Sequence, residues 1–358
     1  MNKELERLLE LLKIEHQEDL EQYKLKIEKL PLHERKSKGF TWYPVNVGKQ
    51  GYTIGDRAFV IVDRGNSEDE HQFRAGKTVR LFSELPAAKG YDKNGVIHYI
   101  DKNKMKIILN SKELPEWLSL GQVGVDLMFD ETTYQEMEKA LHKVMKATQG
   151  RISDLKRVIL GKMDPYSLPR KEKVSIPKLN DSQNKAVNDI LEAKDIAIVH
   201  GPPGTGKTTT LVQAIKLITK EEPTVLVAAP SNTAVDLLTE RLANEGLVVV
   251  RIGNISRVDE SILSHSLEVM VSKHPDSKNI KKLKKEAAES RRRANRYKRN
   301  FGRDQYLERQ RLRQEANELM SWANQLEDRL IETILDHAQV ITCTLVGSAN
   351  KVLEKRKF

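Results

Sequence analysis

The 358-residue chain carries a single cysteine, Cys343, and only 5% aromatic residues. A lone cysteine excludes disulfides within the chain and any metal site built on paired thiolates, and it suits a reducing compartment. No apolar run approaches the roughly 18 residues that a bilayer-crossing helix needs. The opening MNKELERLLELLKIEH sets Leu5, Leu8, Leu9 and Leu12 among charges, which is the pattern of an amphipathic helix and not of a secretory leader. A disulfide scaffold, a membrane-spanning protein and a cysteine-ligated metal centre are set aside. The expected location is the cytoplasm, or the nucleus in a eukaryote.

Charge, by contrast, is plentiful at 31% of residues, with a net +10. Between Lys281 and Arg313 there are 14 Lys and Arg against 4 Asp and Glu, so this window holds the whole excess. A concentrated basic segment on a balanced body points to a polyanion partner, most simply nucleic acid. A solvated basic hairpin is the other reading. The same region has the most regular apolar spacing in the chain. Ile280, Leu283, Ala287, Ser290, Ala294, Tyr297 and Phe301 step by 3 and 4, as do Leu312, Ala316, Leu319, Ala323, Leu326 and Leu330. Two coiled-coil seams are expected, paired antiparallel about a reversal near Gly302.

The chemistry-bearing motif is HGPPGTGKTTT, which contains G-x-x-x-x-G-K-[ST] from Gly201 to Thr208. An apolar run, Asp195–His200, precedes it and predicts a buried parallel strand; Thr208–Lys220 follows at helical period. Strand, glycine loop and helix N-terminus together make an anion cradle of backbone N–H groups. Gly201, Pro202, Pro203, Gly204, Thr205, Gly206, Lys207, Thr208 and Thr209 are the candidate ATP contacts. Lys207 is expected to reach the β- and γ-phosphates, and the Thr208 hydroxyl to hold Mg²⁺. These two are the candidate catalytic residues.

Around this motif, Thr224–Pro230, Leu247–Ile252 and Ala338–Thr344 read as further buried strands and Ala234–Asn244 as a helix, giving an α/β core with a parallel sheet. The front of the chain differs. Residues 1–30 read as one helix ended by Pro31. From 31 to 130, short strand patterns (Ala58–Val62, Thr78–Phe82, Val96–Ile100, Met105–Leu109) are separated by turn signals at Gly65-Asn66, Gly76, Asn94-Gly95 and Asn103. A small antiparallel barrel is expected, whose aromatics Trp42, Tyr43 and Tyr99 either fill its interior or stack on bases. A second helix spans about 131–150, and a polar linker 151–178. Leu127-Met-Phe-Asp130-Glu131 imitates a Mg²⁺-binding strand but precedes the glycine loop, the wrong order for a RecA-like core.

Three more stretches narrow the class. Leu179–Val187, with Gln183, resembles the adenine-reading glutamine motif of helicases. Pro230–Asp236 resembles helicase motif Ia, and Ile341–Gly347 a TCTxxG element. Together with Thr41–Pro44 and His71–Gly76, these identify the chain as similar to superfamily 1B helicases of the nonsense-mediated-decay helicase and immunoglobulin-mu-binding protein 2 type. The resemblance implies a RecA-like P-loop core, 179–274 and 337–358, interrupted by a basic coiled-coil hairpin at 275–336, with the barrel mounted on a two-helix stalk. It also implies ATP and Mg²⁺ as cofactors, Gln183 on adenine, and single-stranded RNA or DNA held at Pro230, Ser231, Asn232 and Thr344. The hairpin arginines Arg291, Arg292, Arg293 and Arg296 are placed over the strand path; a protein partner at the hairpin is the alternative. Ser231 and Asn232 also read as a helix cap. The family's Asp-Glu strand, Gln-bearing sensor and second RecA-like domain do not occur before Phe358, so the core is expected to be incomplete and the chain a fragment of a longer protein. An ATP-dependent helicase moving 5′ to 3′ is the leading expectation. An ATP-responsive clamp that holds a strand without unwinding is the second, and an AAA+ machine the third.

Overall fold

The computed structural model describes residues 3–52, 57–65, 69–84, 92–111, 114–119, 121–253, 258–295 and 303–358. Helix α1 (Lys3–Tyr23) runs into one π-helical turn, Lys24–Glu28, and stops short of Pro31, whose ring cannot continue a helix. After α2 (Leu32–Ser37) come six strands: β1 (Thr41–Tyr52), β2 (Ala58–Asp63), β3 (Thr78–Ser83), β4 (Asp92–Asp101), β5 (Lys104–Leu109) and β6 (Val123–Leu127). They close into an antiparallel barrel in the order β1-β2-β5-β4-β3-β6. In β2, Ala58, Val60 and Val62 face inward while Phe59 and Ile61 face out, the period-2 pattern the sequence displays. Buried Asp126 on β6 accepts from Thr41 at 2.5 Å, Arg35 at 2.6 Å and Arg80 at 3.0 Å, which fastens α2 to the barrel.

One turn expectation fails. Asn94 and Gly95 lie inside β4, opposite Arg80 and Val79. Gly95 is there for close packing: a Cβ on it would stand 2.8 Å from the Ile108 carbonyl oxygen. The turns at Gly76 and Asn103 fall where expected, and Asn66 lies outside the described residues.

Helix α3 (Glu131–Lys146) returns along α1, where the Tyr134 hydroxyl donates to Asp19 at 2.5 Å and the His16 ring stacks on Tyr134. Asp130 and Glu131 sit at this junction, bonded to Thr133 and paired with His16, and take no part in the glycine loop. The segment read as a linker contains α4 (Gly150–Ile159). Its buried Lys156 ammonium donates to the Ala147 carbonyl at 2.6 Å, just past the end of α3.

The α/β part begins with α5 (Asp181–Glu192) and α6 (Lys207–Ile218), packed together through Leu179, Val187, Leu191 and Ala214. Then follow β7 (Val225–Ala229), α7 (Asn232–Asn244), β8 (Val249–Arg251), α8 (Leu267–Lys273), α9 (Ser277–Asn295), α10 (Arg303–Asp336) and β9 (Val340–Thr344). The sheet is parallel in the order β7-β9-β8. A hydroxyl pair, Thr239 with Thr342 at 2.7 Å, ties α7 to its middle strand. The predicted strand Asp195–His200 is not formed, and Ile198 is 88% exposed. A parallel strand exists by pairing with neighbours, and no described strand pairs with this segment.

Helices α9 and α10 pack along the spaced residues: Ile280, Leu283, Ala287, Ser290 and Ala294 on one and Ala316, Ala323 and Leu330 on the other are buried. Lys284 and Glu327 pair across them at 2.5 Å. Tyr297, Phe301 and Gly302 lie outside the described residues. The barrel meets the base of this insertion at α8, where Arg57 donates twice to Glu268, at 2.7 and 3.2 Å, and Ile108 packs on Val269.

Candidate nucleotide site and strand edge

The glycine loop takes its shape from two left-handed residues, Gly204 (φ +82°) and Gly206 (φ +80°), a region that costs any side chain bearing a Cβ. Gly206 caps α6, and the N–H groups of that helix's first turn have no partners within the helix, so they are available at the loop mouth. Gly201 is constrained differently, by packing: a Cβ there would stand 2.8 Å from the Thr205 Oγ1, and the hydroxyl would have to shift. The Thr205 hydroxyl closes the loop by donating to the Pro202 carbonyl at 2.9 Å. Lys207, in the first turn, folds its ammonium onto the carbonyls of Gly201 and of Pro202, the latter at 2.7 Å. Thr208 is half-buried beside it, whereas Pro202, Pro203, Gly204, Thr205 and Thr209 are exposed.

Gln183 belongs to the same assembly. Asn180 and Gln183 form a capping box at the start of α5: Asn180 accepts from the Gln183 N–H at 2.9 Å, and the Gln183 Oε1 accepts from the Asn180 N–H at 3.1 Å. The Gln183 Nε2 meanwhile donates to the Thr205 carbonyl at 3.1 Å. One lone pair and one hydrogen of the amide remain for a further partner. Upstream, Asp195 is held well below the usual carboxylate range by the Tyr166 N–H and by Arg151, which anchors the pre-loop segment to α4.

The second cluster lies at the carboxyl end of the sheet. Ala229 pairs with Thr344, and the Leu345 N–H donates to the Ala229 carbonyl at 3.0 Å, so Pro230, Ser231 and Asn232 come alongside Thr344. Ser231 caps α7 by accepting from the Ala234 N–H at 3.2 Å. The Thr344 hydroxyl accepts from the Gly347 N–H at 3.0 Å. Cys343, buried next to it, has its thiol pushed up by desolvation. Arg291, Arg292 and Arg293 fall in the last turns of α9, with Arg293 exposed, and Arg296 lies outside the described residues.

One residue with a clear place here escaped the sequence reading. Arg251, 1% exposed at the end of β8, donates to Asp236 at 3.1 Å, to Asn232 Oδ1 at 2.9 Å and to the Ile252 carbonyl. It therefore fixes which way the Asn232 amide faces. The signal was there: an arginine inside Leu247-Val-Val-Val-Arg-Ile252 must be buried, and a buried cation needs partners.

Fold and loop together define an α/β core of the RecA-like, P-loop kind. The AAA domain family model matches residues 178–358, and the chain belongs to that family, among the superfamily 1B helicases of the nonsense-mediated-decay helicase and immunoglobulin-mu-binding protein 2 type. It is similar to the DNA polymerase alpha-associated DNA helicase A of Schizosaccharomyces pombe, 25% identical over 372 residues that cover 99% of this chain and 55% of that protein. It is also similar to the DNA-binding protein SMUBP-2 of Rattus norvegicus (27% over 356 residues, 95% of this chain and 35% of that protein). Against the ATP-dependent helicase upf1 of Schizosaccharomyces pombe the identity is 35% over 257 residues, 66% of this chain and 24% of that protein. The chain thus spans about half, or less, of the length of these relatives.

Proposed function

We propose that the chain binds ATP with Mg²⁺ at the glycine loop and single-stranded RNA or DNA along the Pro230–Asn232 and Thr344 edge, as the nucleotide-binding half of an ATP-dependent helicase moving 5′ to 3′. The observation that carries this reading is the loop itself. Two left-handed glycines, a third position where a Cβ would crowd Thr205, and Lys207 on the first turn of α6, whose leading N–H groups have no partner within the helix, make a loop of the kind that holds phosphate oxygens. Lys207 would exchange its two carbonyl partners for the β- and γ-phosphates, a stronger, charge-assisted pairing. Gln183 would give its remaining hydrogen and lone pair to adenine. Among the described residues no group of three or more His, Cys, Asp or Glu side chains is placed to hold a metal ion by itself; at this loop the Thr208 hydroxyl would be the donor to Mg²⁺, completed by the phosphates. The basic helices α9 and α10 act as a coiled-coil hairpin lying over the strand.

Titration with a fluorescent ATP analogue tests the site. Lys207→Ala should weaken binding by roughly ten- to a hundredfold, the worth of a charge-assisted hydrogen bond or two, and Gln183→Ala should weaken ATP more than GTP. Unchanged ATP affinity in the Lys207 variant overturns the assignment. Hydrolysis needs in addition a carboxylate to orient water and cations against the developing charge. With Asp130 and Glu131 engaged at α1 and α3, residues 1–358 should bind ATP with negligible turnover.

A further inference from the structure

We infer that Tyr99 is a base-stacking platform, and that the cleft between the barrel and α7 receives an unstacked base of the bound single strand. This rests on the strand-binding function proposed for the Pro230–Asn232 edge and adds to it a second wall, on the barrel.

The three aromatics that could face a strand have different fates. Trp42 is 2% exposed and packs on Phe73 inside the barrel. Tyr43 is half-buried, its ring stacked on Phe82 and its hydroxyl bonded to Gln122 at 2.6 Å and Glu84 at 2.9 Å. Tyr99 keeps 40% of its surface exposed. It stands where the β4–β5 register shifts between Ile97 and Tyr99, an irregularity of the kind that re-aims a side chain at the rim of a barrel. The His98 ring backs it edge-on, with centroids 6.0 Å apart.

Tyr99 lines a cleft of about 660 Å³ whose opposite wall is Asn232, Asp236 and Glu240 of α7, together with Asp259. This volume is within the range of small-molecule pockets and has room for a nucleobase. Charge decides which part of a nucleotide enters. Asp236 is paired with Arg251, but Glu240 and Asp259 leave the wall acidic, which disfavours phosphate and not a neutral base, and Ser261 donates to Asp259 twice, holding its carboxyl below the usual range. Position decides whose base it is. Asn232 belongs both to the cleft wall and to the proposed backbone-binding edge, and with its oxygen held by Arg251 its amide hydrogens are the end left for a further partner. A strand whose phosphates meet the start of α7 therefore has a base within reach of the Tyr99 face.

The test uses the intact chain and two short probes of equal length: a labelled single strand bearing bases and a fully abasic strand. Tyr99→Ala and Tyr99→Leu should each weaken the base-bearing strand by about tenfold, the size of one base stack, while Tyr99→Phe binds as the wild type does. The abasic strand should bind all four proteins equally. An undiminished affinity of both the Ala and the Leu variant for the base-bearing strand overturns the platform, and so does an equal loss on the abasic strand. Failure of the wild type to bind either probe overturns the strand-binding reading itself, and the platform with it.

Discussion

Leu81 in the barrel is wholly buried, whereas Ile198, in the segment leading to the glycine loop, is 88% exposed. Both stand in apolar runs that read as strands, so the difference lies in the neighbours. Each barrel strand pairs on two sides and the sheet has no edge. In the α/β sheet, β7 pairs only with β9 among the described strands, and the pre-loop segment pairs with none. Hydrophobic pattern therefore states what a segment can bury, and the presence of partner strands decides whether it does.

The largest effect expected from this contrast is on stability. Leu81→Ala should cost about 2–5 kcal/mol because a filled core position becomes a cavity, while Ile198→Ala should change stability by less than about 0.5 kcal/mol. Denaturant titration of both variants checks this; equal losses would erase the distinction. The second test sets the barrel's paired charges against the surface charge of the insertion. Reversing Arg291, Arg292, Arg293 and Arg296 should lower single-strand affinity and flatten its salt dependence, by slightly less than about one log-log unit for each phosphate the protein ceases to neutralise. An unchanged salt slope would make α9 and α10 a docking arm or a spacer.

The smallest effect lies in the helices beside the barrel. Tyr134 is pushed up to about 12, chiefly because Asp19 accepts its hydroxyl hydrogen. The folded state thus holds this proton more tightly than the unfolded chain, whose tyrosine titrates near 10.0. The stabilisation is fully present below about pH 10 and is lost as pH rises through about 12. Tyrosinate absorbance should show the late-titrating group in the wild type and an earlier one in Asp19→Asn; identical curves would remove Asp19 as the cause.

Much of this architecture was legible because each signal was local. The 3-4 spacing from Ile280 to Ala294 marks the residues that α9 buries, and Ser231 caps α7 as its place before Ala234 suggested. Gly204 and Gly206 mark the left-handed turns of the loop. What was not legible depends on neighbours distant in sequence. Asn94-Gly95 is a strong turn signal by composition, yet Gly95 sits in mid-strand because Ile108 leaves no room for a side chain. The buried strand expected at Asp195–His200 depends on partners that a one-dimensional pattern does not supply. The Arg251 bonds to Asp236 and Asn232 span 15 and 19 residues, beyond any motif window.

Helix α8 has a mechanical consequence. It receives the barrel through the Arg57–Glu268 clamp and the Ile108–Val269 contact, and only His274, Pro275 and Asp276 separate its end from α9. The barrel and the basic helices therefore share a footing, and this footing itself packs on the parallel sheet through Leu267, Met270 and Val271. Leu263, just before α8, packs on the same barrel residues, so a displacement of α9 at its root is expected to bear on the barrel through this joint of α8 and the turn before it.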